Sequence, residues 1–85
     1  MYSVTVSKSA KKTLSKLPNE VIKKILDALD DLVEEPRPMG YIQLKGRSGY
    51  RIRVGNYRVI YDVNDDELLI LVMEIGNRKE IYKKK

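Results

Sequence analysis

The chain has 85 residues, with 17 Lys and Arg against 12 Asp and Glu, for a net charge of +5 and a pI near 9.5. This length predicts one small domain over residues 1–85, and the basic balance favours an anionic partner such as nucleic acid. Cys and His are absent, which excludes disulfides, thiolate chemistry and the commonest general base and metal ligand. We therefore expect no metal and no cofactor. Without a signal peptide or a long apolar run, the sequence predicts a cytoplasmic protein with no membrane association.

The first half of the chain predicts one strand and two helices. Residues 2–6 are rich in β-branched side chains, which favour a strand. Ser7 or Ser9 then offers the N-cap of a short helix. Between Pro18 and Pro36, apolar residues recur at helical spacing and predict a second helix, which Pro36 ends.

The second half of the chain predicts a sheet. Extended segments at 41–45, 50–54, 57–63 and 67–75 are separated by turn residues. Positions 68–73 are all apolar, which is typical of a central strand covered on both faces. The predicted class is α+β, in the order β-α-α-β-β-β. A helical hairpin packs on one face of a mainly antiparallel sheet, and the other face is left largely open.

Three arginines fall on one predicted hairpin. Gly55 and the Asn that follows it predict a two-residue type II′ turn, which places Arg53 directly opposite Arg58. Side chains alternate along a strand, so Arg51 shares their face. Like charges directly opposite each other destabilise a ladder. The arginines therefore predict an anion site, although exposed strand arginines are also common as ordinary solvated surface.

Further basic and phenolic residues can join this patch. Arg78 and Tyr82 follow the last strand and can reach the same concavity, although Tyr82 alone would suit a packed edge aromatic. Each guanidinium offers a planar fork that binds two phosphate oxygens at once. Four of them could stabilise a pentacoordinate phosphorane. Lys45 and Arg47, in a predicted loop, are candidates for an RNA-binding rim.

The chain resembles the RelE/ParE toxin superfamily. The resemblance covers essentially the whole chain, and its motifs are Leu44-Lys45-Gly46, Tyr50-Arg51-Ile52-Arg53, Tyr57-Arg58-Val59-Ile60-Tyr61, Ile75-Gly76-Asn77-Arg78 and Ile81-Tyr82. RelE-type members are ribosome-dependent endoribonucleases that cleave mRNA, whereas ParE-type members share the fold but poison DNA gyrase. The resemblance implies a toxin held in check by a cognate antitoxin, with the ribosome and mRNA as further partners. The catalytic positions that it implies are Arg51, Arg53, Arg58, Arg78 and Tyr82.

The resemblance also identifies a departure at two positions. Arg51 and Arg53 stand where RelE-type toxins carry lysines, and arginine effectively cannot lose its proton. Both can stabilise an ionised 2′-oxygen, but they are poor general bases. Tyr82 becomes the candidate base and Arg78 the candidate for assisting the leaving 5′-oxygen. The alternative is a non-catalytic ParE-like toxin or a nucleic-acid-binding module.

Overall fold

The computed structural model describes residues 1–77. The elements in chain order are β1 (Ser3–Val6), α1 (Lys8–Ser15), α2 (Asn19–Glu34), β2 (Ile42–Gln43), β3 (Tyr50–Val54), β4 (Tyr57–Asn64) and β5 (Leu69–Asn77). They confirm the predicted α+β class, with two helices packed against a five-stranded mixed sheet. Within this part of the chain, neither helix is long and apolar enough to cross a membrane. Arg78 and Tyr82 lie outside the described residues.

The strands lie in the order β1-β5-β4-β3-β2. β1 runs parallel to β5, while the pairs β5–β4, β4–β3 and β3–β2 are antiparallel. The parallel neighbours β1 and β5 are joined by a long connection that contains the helical hairpin and strands β2, β3 and β4. The extended segment at 41–45 pairs over only two residues, so it forms a short edge strand and brings the sheet to five strands.

Local chemistry explains where α1 begins and where α2 ends. The hydroxyl of Ser7 accepts a hydrogen bond from the Ala10 backbone N–H at 3.1 Å, and so caps α1. The same hydroxyl donates a hydrogen bond to the Met73 carbonyl at 3.0 Å, and this bond connects the start of α1 to β5. α2 ends at Glu34, and Glu35 takes extended dihedrals (φ −140°, ψ 95°) before Pro36. The predicted Ser7 cap and Pro36 stop are confirmed.

The core lies between α2 and one face of the sheet. The helix-period stripe of α2 buries Ile25, Leu29 and Leu32. The facing strand residues include Val59 and Tyr61, which are fully buried. The apolar periodicity of α2 and of β4 therefore identified the core correctly.

Tyr61 ties the segment after α2 to the sheet. Its hydroxyl donates to the Pro36 carbonyl at 2.6 Å, and its ring lies 5.7 Å from the ring of Tyr50. Burial raises the pKa of the Tyr61 phenol to about 12. The phenol therefore keeps its proton, and its hydrogen bond, through the neutral range.

The face opposite the helices is less open than the sequence predicts. Ile60 points away from the helices, yet only 4% of its surface is exposed. Beside it the loop at 44–49 folds over the sheet: the Ser48 hydroxyl donates to an Asp62 carboxylate oxygen at 3.3 Å, and an Arg47 guanidinium nitrogen lies 3.4 Å from a Glu74 oxygen. The loop therefore covers part of the face that the sequence predicts to be largely open, and sequence patterns had no means of placing it.

The coverage predicted for the last strand is wrong. β5 is central in the sheet, between β1 and β4, as its apolar content predicts. However, Leu71 is 38% exposed on the face away from the helices, and Leu68 precedes the strand with a φ of +53°. Helices cover one side of β5 only, so a continuous apolar run did not indicate burial on both faces.

Candidate active site

The arginine hairpin has the predicted turn and register. Gly55 has a φ of +60°, which suits the first central position of a type II′ turn. Among the described non-glycine residues only Leu68 has a positive φ, so the second central residue, Asn56, fits that turn type as well. Arg53 lies opposite Arg58 across the β3–β4 ladder.

The three hairpin arginines, Arg51, Arg53 and Arg58, share one face of the sheet, here called the arginine face, but differ in exposure. Arg51 lies opposite Ile60, which puts it on the same side of the sheet as the Arg53–Arg58 pair. Arg53 is exposed and Arg51 half-buried, whereas Arg58 is only 2% exposed. Arg53 and Arg58 also line a small cavity of about 70 Å³ beside the turn. The sequence predicted the shared face but not the burial of Arg58.

Neighbouring strand β5 completes this face with a carboxylate that the sequence reasoning missed. Gly76 lies opposite Arg58, and Glu74 lies opposite Ile60. A β-bulge at Met73 shifts the register of β5 against β4 between the pair Ile60–Glu74 and the pair Tyr61–Val72. The signal available in the sequence was a single glutamate within an otherwise apolar strand.

The loop at 44–49 brings Arg47 to the same face. Arg47 is half exposed and pairs with Glu74 at 3.4 Å. Lys45 is exposed. Both residues therefore lie in the loop that borders the arginine hairpin, where the sequence predicted a rim; their contact with RNA stays a prediction.

A second polar cluster was missed and lies elsewhere. Arg37 donates to both carboxylate oxygens of Asp65, at 2.9 and 3.3 Å, and to the Tyr50 hydroxyl at 3.2 Å. The Tyr2 hydroxyl donates to Asp65 at 2.7 Å. These hydrogen bonds, that from Arg37 first, hold the pKa of Asp65 below its ordinary value. Arg58 lies near the start of β4, and Asp65 follows the end of that strand. The cluster therefore links separate chain segments and is distinct from the arginine face.

The arginine face can bind and stabilise a phosphate but cannot by itself move protons. Guanidiniums offer forked donors that suit phosphate oxygens; on this face Arg53 is exposed, Arg51 is half-buried and Arg58 is buried. Arginine effectively cannot lose its proton in proteins, so any proton transfer needs another group. The expected partners in this chemistry, Arg78 and Tyr82, fall beyond the described part of the chain.

The chain and its fold are similar to known toxins. The RelE toxin in the RelE–RelB complex from Pyrococcus horikoshii is 35% identical, with a TM-score of 0.82 over 91% of this chain and 94% of that one. The isolated RelE toxin of Escherichia coli is 27% identical, with a TM-score of 0.80 over 98% of this chain and 93% of that one. Toxin RelG of Mycobacterium tuberculosis is 27% identical over 98% of both chains.

These likenesses define a small toxin of the RelE/ParE superfamily. Residues 4–82 match the ParE toxin family of type II toxin–antitoxin systems, and the chain belongs to that family. The resemblance predicted from the sequence motifs is thereby confirmed.

Proposed function

We propose that this toxin is a ribosome-dependent endoribonuclease that cleaves mRNA. The observation that carries the proposal is the shared face of Arg51, Arg53 and Arg58, which offers forked donors to a phosphate. The likeness to RelE toxins over nearly the whole chain adds support. The family match continues to residue 82 and so includes Arg78 and Tyr82.

In the proposed reaction the 2′-hydroxyl of the mRNA attacks the adjacent phosphate. The products are a 2′,3′-cyclic phosphate and a 5′-hydroxyl. Arg51, Arg53 and Arg58 offset the negative charge that grows on the phosphorane. Arg78 assists the leaving 5′-oxygen, and Tyr82 serves as a proton-transfer group. The ribosome contributes by holding the RNA in a reactive geometry, which suits a site that relies on charge and positioning.

A cognate antitoxin is the proposed protein partner. RelE of P. horikoshii is found in complex with RelB. In this chain a groove of about 420 Å³ runs between α2 and the β3 edge, and Arg51 and Arg53 are among its lining residues. Met39 and Ile42, also in its lining, are exposed apolar side chains. An amphipathic or extended antitoxin segment seated there would cover the apolar surface and the two arginines together.

A second candidate function follows from the family match itself. Residues 4–82 match the ParE toxins, and ParE-type members of the superfamily poison DNA gyrase without catalysis. In that reading the arginine face binds a protein or nucleic acid and cleaves nothing.

Induction of the toxin in bacterial cells separates the two functions. Primer extension on a reporter mRNA is expected to reveal cuts at codon positions, and the cuts should vanish when the start codon of the reporter is removed. Intact mRNA together with DNA damage would contradict the proposed function and support gyrase poisoning. An Arg78→Ala variant provides the matched control, since it should be folded and non-toxic.

A further inference from the structure

Two carboxylates share the face of the sheet that carries the arginines. Glu74 lies opposite Ile60, while Gly76, two residues further along β5, lies opposite Arg58. Glu74 is therefore a diagonal neighbour of Arg58, close enough for long side chains to meet. Asp62 lies one row further from the arginine pair, opposite Leu71. A negative charge weakens the attraction of a surface for a polyanion. The presence of a carboxylate next to the arginines therefore suggests that it has a function of its own.

The hydrogen bonds of the two carboxylates distinguish them. Both carboxylate oxygens of Asp62 accept hydrogen bonds, one from the Ser48 hydroxyl at 3.3 Å and the other from the Val63 N–H at 2.9 Å. In Glu74 only Oε2 is engaged, by Arg47 at 3.4 Å. Within residues 1–77 no hydrogen bond is made to its Oε1. The Glu74 side chain is 28% exposed, so part of it is open to solvent.

Glu74 also has a suitable position relative to the cationic groups. Arg51, Ile60 and Glu74 form one row across β3, β4 and β5. Two strand spacings put the backbones of Arg51 and Glu74 roughly 10 Å apart. A phosphate held between the arginines would thus have Glu74 at its flank, on the side where an adjoining ribose can lie.

Resting on the endoribonuclease function proposed above, we infer that Glu74, in place of Tyr82, is the general base for cleavage and that Arg47 is the residue that positions it. Oε1 of Glu74 takes the proton of the 2′-hydroxyl while the 2′-oxygen forms its bond to phosphorus. The bond between phosphorus and the 5′-oxygen breaks, and the 5′-oxygen takes a proton from water. Glu74 returns its proton to solvent after the product leaves. An ionised carboxylate can accept this proton at neutral pH, which arginine cannot.

The test is the pH dependence of single-turnover cleavage on programmed ribosomes at saturating toxin. General-base catalysis predicts a wild-type rate that falls at acid pH. Glu74→Gln should lower the rate by at least about 100-fold, in the range that a general base contributes, and should abolish that acid limb. Within residues 1–77, the groups that face Glu74 and whose charges enter this profile are Arg47 of the loop, Arg58 and Asp62 of β4, and Arg51 of β3.

Two further variants separate chemistry from structure. Asp62→Asn removes a carboxylate from the same face and should retain both the rate and the acid limb. Arg47→Met breaks the ion pair but leaves the base, so it should slow cleavage and keep the acid limb. Equal losses in Glu74→Gln and Arg47→Met, with the acid limb present in both, would show a structural pair and overturn the inference. A wild-type rate in Glu74→Gln would overturn it too, whereas an inactive wild type would overturn the proposed function first.

Discussion

At the scale of single residues, the structure separates two arginines that the sequence treats alike. Arg53 and Arg58 face each other across the hairpin, yet Arg53 is exposed and Arg58 is among the largest fully buried side chains. An exposed arginine is free to meet a ligand, while a buried one also packs its aliphatic stem into the fold. The two residues should therefore differ in their effect on stability.

The first prediction concerns this difference. Arg58→Ala should lower the free energy of unfolding by about 1–3 kcal/mol, because it removes a buried side chain and its packing. Arg53→Ala should leave it unchanged within about 0.5 kcal/mol or raise it, since it removes a like charge from a cross-strand pair. Urea denaturation of both variants measures the difference. Equal destabilisation would contradict the exposures described above.

A second residue-scale prediction concerns the buried phenol of Tyr61. Tyr61→Phe leaves the Pro36 carbonyl without its 2.6 Å donor and should cost about 1–3 kcal/mol in unfolding free energy. Tyr57→Phe is the matched control on the same strand, because Tyr57 is only half-buried and makes no side-chain hydrogen bond within residues 1–77. A cost in Tyr57→Phe as large as in Tyr61→Phe would refute the role of this hydrogen bond.

The same phenol imposes a dependence on pH. The pKa of Tyr61 rises from 10.0 to about 12 in the folded chain, so the folded state holds this proton more tightly than the unfolded state does. Its contribution to stability is complete below the unfolded pKa and is lost as pH rises through the folded pKa. Thermal melts between pH 10 and 12 should show this loss in the wild type and a smaller one in Tyr61→Phe.

At the scale of elements, the loop at 44–49 decides how much of the arginine face is open. Its last residue, Gly49, has a φ of +121°, and a Cβ there would lie 3.1 Å from Met73 Cε and 3.2 Å from the Tyr61 carbonyl oxygen. Gly46, in the same loop, has a φ of +78° with open space around it. Gly49 thus combines a left-handed backbone with a close approach to the sheet, whereas Gly46 has the backbone conformation alone.

This contrast gives a prediction with an internal control. Gly46→Ala should cost about 1–2 kcal/mol of stability, the price of a left-handed alanine. Gly49→Ala should cost more, because the added methyl group must also displace backbone. It should also loosen the Arg47–Glu74 contact. Chemical denaturation of the two variants is the measurement, and a smaller cost for Gly49→Ala would show that the loop does not rest on the sheet as described.

Local sequence patterns predicted the elements well but the loop poorly. The β3–β4 hairpin followed from Gly55 and strand alternation, and the Ser7 cap and the Pro36 stop followed from backbone chemistry. The contacts of this loop with Asp62 and Glu74 join residues more than ten positions apart in the chain, and no periodicity encodes them. The bulge at Met73 likewise reverses the alternation of β5 and hid the position of Glu74.

At the scale of the whole molecule, long-range contacts arrange the elements around the site. Parallel pairing of β1 with β5 joins segments 66 residues apart, as in Ser3 with Leu69. The ion pair between Arg37 and Asp65 connects the segment after α2 to the β4–β5 turn. Composition and periodicity do not specify such contacts. The resemblance to a known superfamily specified the fold as a whole. Local patterns predicted only the part of the candidate site that lies on the β3–β4 hairpin.

The central claim is that the arginine face, rather than the overall positive charge, performs cleavage. The most direct measurement is the single-turnover rate of mRNA cleavage on programmed ribosomes at saturating toxin. The double variant Arg51→Ala/Arg53→Ala should lose on the order of 100-fold or more in that rate, as loss of transition-state donors does. Lys23→Ala/Lys24→Ala, which removes two charges from exposed positions on α2, should keep the saturating rate. Equal losses in both double variants, or an unchanged rate without the two arginines, would contradict the account.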